Sequence, residues 1–239
     1  MKRAERHHLK QNELQRLAVQ TRDLFEARRR ETTNVLLVAL VVVVAAAGYF
    51  LWREHVQARA HALLAEALAA QDARVAVPGT PATPGTYATD RARLEAAAAK
   101  FKTVADAYPS TDAGIFARYQ EAADQLALGN AAAAVTAYQE VLQRGGSAIY
   151  GQVARLGLAE AQARAGQYEQ AINAFKELAQ RKDGPLPVDG ILMELGRTYR
   201  DAGKASEAKQ TFNRLVEEYP DSPYLQEAKR EIETLNKTA

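Results

Sequence analysis

Four histidines, His7, His8, His55 and His61, are the only imidazoles in the chain, and none lies beyond residue 61 of 239. Imidazole is the usual proton carrier near neutral pH and the commonest transition-metal ligand. Most of the chain therefore lacks that chemistry. His7 and His8 are adjacent, and side chains one residue apart on a helix do not face each other, so they read as part of a solvated tail. The absence of cysteine excludes disulfides, thiolate metal sites, a cysteine nucleophile and a lipid anchor on cysteine. Glu217-Glu218 is a carboxylate pair beside basic residues at a helix end and reads as a solvated face. Gly145-Gly146-Ser147 has no following Lys-Ser/Thr to form a phosphate loop, and no Gly-x-Ser-x-Gly elbow occurs. The acids are not accompanied by a sugar-stacking aromatic platform. The expectation is no catalytic residue, no metal and no cofactor, hence no enzyme. A small-molecule binder or enzyme built on a helical scaffold is the remote alternative.

The elements that carry these residues are set by composition. There are 49 alanines, with only 14 glycines and 8 prolines. Alanine has the best helix propensity and lets helices approach closely, so an all-α chain is expected. The overall charge of +2 hides a division. Residues 1–34 carry nine Lys/Arg against five Asp/Glu, and residues 53–239 carry 22 against 24. A mildly acidic body does not suit nucleic acid, which calls for a basic face.

Between these parts runs VLLVALVVVVAAAGYFLW, Val35 to Trp52, with no charged side chain. Its 18 residues would span about 27 Å as a helix, close to the ~30 Å hydrocarbon core. Thr32, Thr33 and Asn34 are placed to cap its start. Tyr49, Phe50 and Trp52 gather at its far end, where amphipathic rings favour the headgroup region. Residues 32–52 are thus expected to be a transmembrane signal anchor. A buried core helix and a cleaved signal peptide are the alternatives, the latter helped by Ala58-Arg59-Ala60. Arg16, Arg22, Arg28, Arg29 and Arg30 precede the segment within 20 residues, and only Arg53 and Arg59 follow within 20. The basic side stays in the cytoplasm. This predicts a single pass through a bacterial inner membrane, with the N-terminus cytoplasmic and the C-terminal domain periplasmic.

Residues 1–31 read as a basic amphipathic tail, with Leu9, Leu14, Leu17, Leu24 and Phe25 near helical spacing. Residues 53–74 continue as a first exported helix. Residues 75–89, VAVPGTPATPGTYAT, hold three prolines and two glycines and read as a surface loop. From Asp90 the pattern is helical with short turns.

A 37-residue lattice organises this last part. Gly129, Gly166 and Gly203 recur at that spacing. Five residues after each comes Ala134, Ala171 or Ala208. Nine residues after comes an aromatic, Tyr138, Phe175 or Phe212. Twelve residues after comes Val141, Leu178 or Leu215. Seven residues before each stands a small residue, Ala122, Ala159 or Gly196. Ala97, Phe101 and Val104 extend the lattice back one step. Each unit predicts a helix, a glycine turn and a second helix, the small residues marking where the two helices cross. Units that cannot bury a face alone stack into a solenoid.

Leu195-Gly196, Tyr199, Gly203, Ala208, Phe212 and Pro220, with Ala159, Gly166, Tyr168, Ala171 and Phe175, resemble the tetratricopeptide repeat. The period departs from the family's 34, lengthened at turns such as Arg181–Pro185. Glu121 and Gln125 stand where the family has Leu and Tyr. The resemblance spans residues 90–222, and residues 223–239 would form a capping helix and tail. Its charges, Glu227, Lys229, Arg230, Glu231 and Glu233, are expected toward solvent. A basic tail, one anchor and an exported repeat domain together resemble the YfgM-like ancillary subunits of the bacterial Sec translocon. So does the stretch Arg6–Leu14. That resemblance implies a scaffold linking the translocon to periplasmic chaperones. The ending Tyr219-Pro220-Asp221-Ser222 equally resembles proteins of the Tol–Pal and outer-membrane assembly systems, which would make the chain a cell-envelope scaffold. Family geometry implies a concave groove lined by first helices. The residues it implies are Phe116, Tyr119, Ala123 and Leu126; Val153, Leu156, Glu160 and Arg164; and Met193, Arg197 and Arg200. For Phe116, Leu126, Val153, Leu156 and Met193 a core position is the alternative. Arg197 and Arg200 would meet either an acidic peptide or Glu194 and Asp201.

Overall fold

The computed structural model describes residues 29–77, 85–145, 149–180 and 186–237, with side chains from residue 33 onward except Ile149. The tail through residue 28, the centre of the Pro/Gly/Thr loop, Gly146-Ser147 and the Arg181–Pro185 turn lie outside the described residues. Nine helices fall among the described residues: α1 (Arg29–Gln71), α2 (Asp90–Ala107), α3 (Asp112–Ala127), α4 (Ala131–Gly145), α5 (Ile149–Arg164), α6 (Tyr168–Ala179), α7 (Val188–Asp201), α8 (Ala205–Glu218) and α9 (Leu225–Lys237). The chain divides into two compact units, residues 1–55 and 56–239.

In the first unit, α1 carries the apolar stretch. It is the one helix among the described residues long and apolar enough to cross a membrane. The large apolar side chains of Val35–Trp52 are more than half exposed, from Val35 at 67% to Leu51 at 68%. A soluble core helix of this composition would be covered by its neighbours, and this stretch is not. Tyr49 meets Phe50 edge-on at 6.0 Å and lies 6.2 Å from Trp52, forming the expected aromatic end. Thr32, Thr33 and Asn34 lie inside α1, which already includes Arg29, so they do not cap it.

In the second unit, the end of α1 buries Ala60, Leu64 and Ala67 against Ala97, Phe101 and Val104 of α2 and Ala113 and Ala117 of α3. The spacing of four and three is one helical stripe. This is the atypical starting pair, with the Pro/Gly/Thr loop inserted between its helices. That loop is not wholly irregular. Its ends are β1 (Arg74–Val75) and β2 (Thr86–Tyr87), paired in parallel with Arg74 opposite Thr86, and Ala76 N–H donates to Tyr87 C=O at 2.8 Å.

The 37-residue lattice is the core. Ala97, Ala134, Ala171 and Ala208 are wholly buried, as are Phe101, Phe175 and Phe212, and Tyr138 nearly so. Two of the aromatics, Tyr138 and Phe212, sit on glycines. A Cβ on Gly196 would come closer than 3.0 Å to Cε1 of Phe212, and one on Gly157 equally close to Cζ of Tyr138. Real Cβ atoms do not approach so closely, so glycine is required at both crossings. The three turns are alike in detail. Gly129, Gly166 and Gly203 have φ of +84°, +75° and +74°, the left-handed conformation that glycine takes without strain. Each glycine N–H, and the N–H after it, bonds back to a helix carbonyl: Asn130 to Gln125, Gln167 to Gln162, Lys204 to Tyr199, at 2.8–2.9 Å. This is the Schellman arrangement that closes a helix C-terminus. At helix starts, Thr89 accepts from Ala92 N–H and Thr111 from Gly114 N–H, each satisfying one orphan donor.

The first full repeat carries Glu121 where the family has Leu, and the structure shows what compensates. Arg118, 10% exposed, donates to Glu121 at 2.6 Å on α3, to Glu140 at 3.1 Å on α4 and to Asp106 on α2. One guanidinium thereby ties three helices. Burial raises the Glu121 carboxyl even so, with Arg118 opposing. Lys102, helped by Arg118, holds Asp106 below the usual carboxylate range.

Asp124, 3% exposed, receives Gln71 Nε2 at 3.4 Å on one oxygen, while its Oδ2 has no partner. Burial lifts its carboxyl from 3.8 to about 6, against the pull of Gln71 and Arg93. A carboxyl raised on folding favours the fold below its unfolded value and loses that contribution as pH climbs through its folded value. Asp124→Asn should therefore gain on the parent between pH 4 and pH 8, by on the order of 2 kcal/mol. Melting curves of both proteins across that range measure the difference, and a constant gap would contradict it.

Candidate functional site

Helix α3 packs against α5, and α5 against α7, in addition to their chain neighbours. The first helices of successive pairs thus form a continuous row, which the small residues at the pair crossings allow. Within that row the residues expected in a groove, Arg164 aside, separate into three groups.

Met193 is wholly buried and Leu126 is 6% exposed. Both belong to the core and present nothing to a partner. Their place in the groove was implied by family geometry, but neighbouring helices cover them. Phe116, Tyr119, Ala123, Val153, Leu156 and Glu160 are half-buried. They combine packing below with an accessible face above. Phe116 lies tilted at 5.5 Å from Tyr150, and Tyr119 meets Tyr138 edge-on at 5.8 Å. Tyr150, in the first turn of α5, joins this surface without having been singled out from the sequence; its three-residue offset from Val153 was the available signal. Arg164 is exposed.

Arg197 and Arg200 form the third group, and both are engaged. Arg197 pairs with Glu194 on its own helix and, at 2.5 Å, with Glu227 on α9. Arg200 pairs with Asp201 at 2.9 Å and with Glu231 at 2.5 Å. Glu227 and Glu231 therefore turn inward, contrary to their expected solvent orientation. They are four apart on α9 and the arginines three apart on α7, so each helix shows a matched charged edge. Tyr224 closes the same end by lying 3.5 Å from where a Cβ on Gly190 would stand. Nearby, Ser222 donates to Asp189 at 2.6 Å and accepts from Tyr224 N–H. The Tyr219–Ser222 motif thus builds the turn into α9.

The electrostatics concentrate at Glu160. Its carboxyl is raised by burial and by Glu194, with Arg164 opposing. Burial and Glu160 together raise the Tyr119 hydroxyl. A separate open cavity of 460 Å³ lies between α1, the β1–β2 pair and α2, lined by alanines, Tyr87, Glu66 and Lys100. Lys100 and Glu66 face each other there at 3.9 Å. Among the described residues no group of three metal-ligating side chains converges.

This architecture has relatives. No curated protein matches the chain. Two crystal structures of a putative kinesin light chain from Podosopora anserina, described as nearly identical TPR-like repeats and differing by a point substitution, each match with a TM-score of 0.57 and 14% identity. Each match covers 76% of this chain and 86–87% of the other. A tetratricopeptide repeat protein from Parabacteroides merdae matches at a TM-score of 0.49 and 17% identity, over 62% of this chain and 56% of that one. At such identities the likeness is one of fold alone. The tetratricopeptide repeat-like domain model matches residues 29–226, taking in the apolar helix as well as the repeats, and the chain belongs to that family.

Proposed function

We propose that this protein is a membrane-anchored periplasmic scaffold that holds other proteins beside the bilayer, linking the Sec translocon to periplasmic chaperones. One observation carries the reading. The same chain combines an apolar helix with exposed sides and a row of helices whose aromatic and aliphatic residues stay half-open. The distribution of arginines around Val35–Trp52 supports a cytoplasmic N-terminus. Anchoring raises the effective concentration of a weak binder at its partner, so modest contacts suffice. The YfgM-like layout of tail, anchor and repeats supports the translocon as neighbour.

The test is capture from detergent-solubilised membranes, comparing the intact protein with a form whose Val35–Trp52 is replaced by a polar linker. Retention of translocon and chaperone components by the intact protein, and their loss from the linker form, is expected. Retention of Tol–Pal or outer-membrane assembly proteins instead would reject the translocon assignment and favour an envelope scaffold.

A further inference from the structure

We infer that the middle of the inner row is a docking site for a protein segment carrying a lysine or arginine beside apolar residues, with Glu160 receiving the cation. The inference rests on the scaffold reading above and assigns the chemistry of what the row holds.

Charge complementarity selects the occupant. Of the charged groups along the row, Arg197 and Arg200 are neutralised by Glu194, Glu227, Asp201 and Glu231. An acidic segment would have to compete with these four carboxylates for them. Glu160 is the opposite case. It is half-buried on α5 and makes no close ion pair or hydrogen bond among the described residues. Arg164, one turn further along α5, is exposed and does not bond to it. From α7 the facing group is Glu194, itself acidic, and from α3 the Tyr119 hydroxyl. The Tyr138 hydroxyl on α4 is acted on by both Glu160 and Asp124, and Asp124 leaves one buried oxygen without a partner. A carboxylate partly removed from water, with only the exposed Arg164 acting on it from a distance, is under-stabilised, and a cation donated directly to it relieves this. Aromatic faces at Phe116, Tyr119 and Tyr150 lie along the same side of α3 and α5 and suit a cation's stem or an apolar neighbour.

The experiment uses the full chain in a non-ionic detergent micelle to select from a phage-displayed library of random 12-residue peptides. Enrichment of peptides pairing Lys or Arg with aliphatic residues is expected. One enriched peptide is then synthesised with its cation intact or replaced by norleucine. Its affinity is measured by fluorescence anisotropy against the parent protein and against Glu160→Gln. Either change alone should weaken binding about tenfold, and the two together should cost little more than one. Glu66→Gln, on α1, should leave affinity unchanged. Selection of peptides without cation enrichment, or additive losses in the cycle, overturns the role of Glu160 while leaving the scaffold reading in place. Failure to select any peptide overturns both.

Discussion

Replacing Arg118 by leucine should cost about 3–5 kcal/mol of stability, the range typical when a buried ion pair loses one partner. The reason is geometric. Arg118 is the shared donor to Asp106, Glu121 and Glu140. Its removal leaves Glu121, whose side chain is 8% exposed, without its ion-pair partner and with only the more distant Lys102, in a site where burial already works against its charge. Glu121→Leu in the same background should recover much of the loss, because it restores the apolar residue that the family places there and removes the stranded carboxylate. Urea titration of the full chain in detergent, followed by circular dichroism, measures both variants. A single substitution costing less than about 1 kcal/mol, the usual worth of an exposed pair, would show that the network does not hold α2, α3 and α4 together.

The second large effect belongs to the lattice aromatics. Phe212→Ala should cost about 3–5 kcal/mol, from lost burial plus the cavity that remains. Gly196→Ala should cost about 1–3 kcal/mol by overpacking, since the new methyl would press into the same ring. The double variant should be more stable than the sum predicts, because the added methyl partly fills the space the ring vacated. Strict additivity would mean that Gly196 and Phe212 do not share a contact and that the register assigned to the last pair is wrong.

Much of this core was legible in the sequence because it obeys one period. Alanine, aromatic and aliphatic residues at fixed offsets from a turn glycine report a helix crossing directly, and Ala208, Phe212 and Leu215 are buried as the spacing requires. Interactions that occur once in the chain left no such trace. Glu121 stood out only as a departure from the family; its counter-ion on the same helix becomes visible once Asp106 and Glu140 are seen to converge on Arg118. The inward turn of Glu227 and Glu231 was hidden because an amphipathic capping helix looks the same whether its charged edge meets water or arginines. The β1–β2 pair escaped because two residues are too few to show alternation. Family geometry also placed Met193 and Leu126 in the groove, whereas local packing decides which of the implied positions stay open, and sequence offsets do not encode that.

The arginines at the C-terminal end bear on how the groove is probed. Charge reversal at Arg197 and Arg200 would set them against Glu194, Glu227 and Glu231 and loosen α9, so a loss of partner capture in such a variant would not locate the site. The open part of the row, between α3 and α5, is the better place to ask. A photo-reactive amino acid at Leu156, on the inner row, and separately at Lys209, exposed on α8, can be introduced into the intact protein in cells. Illumination should yield adducts to translocon or chaperone subunits from position 156 and few or none from position 209. Adducts that form equally from both positions, or none from position 156, would contradict a scaffold that binds through its inner row.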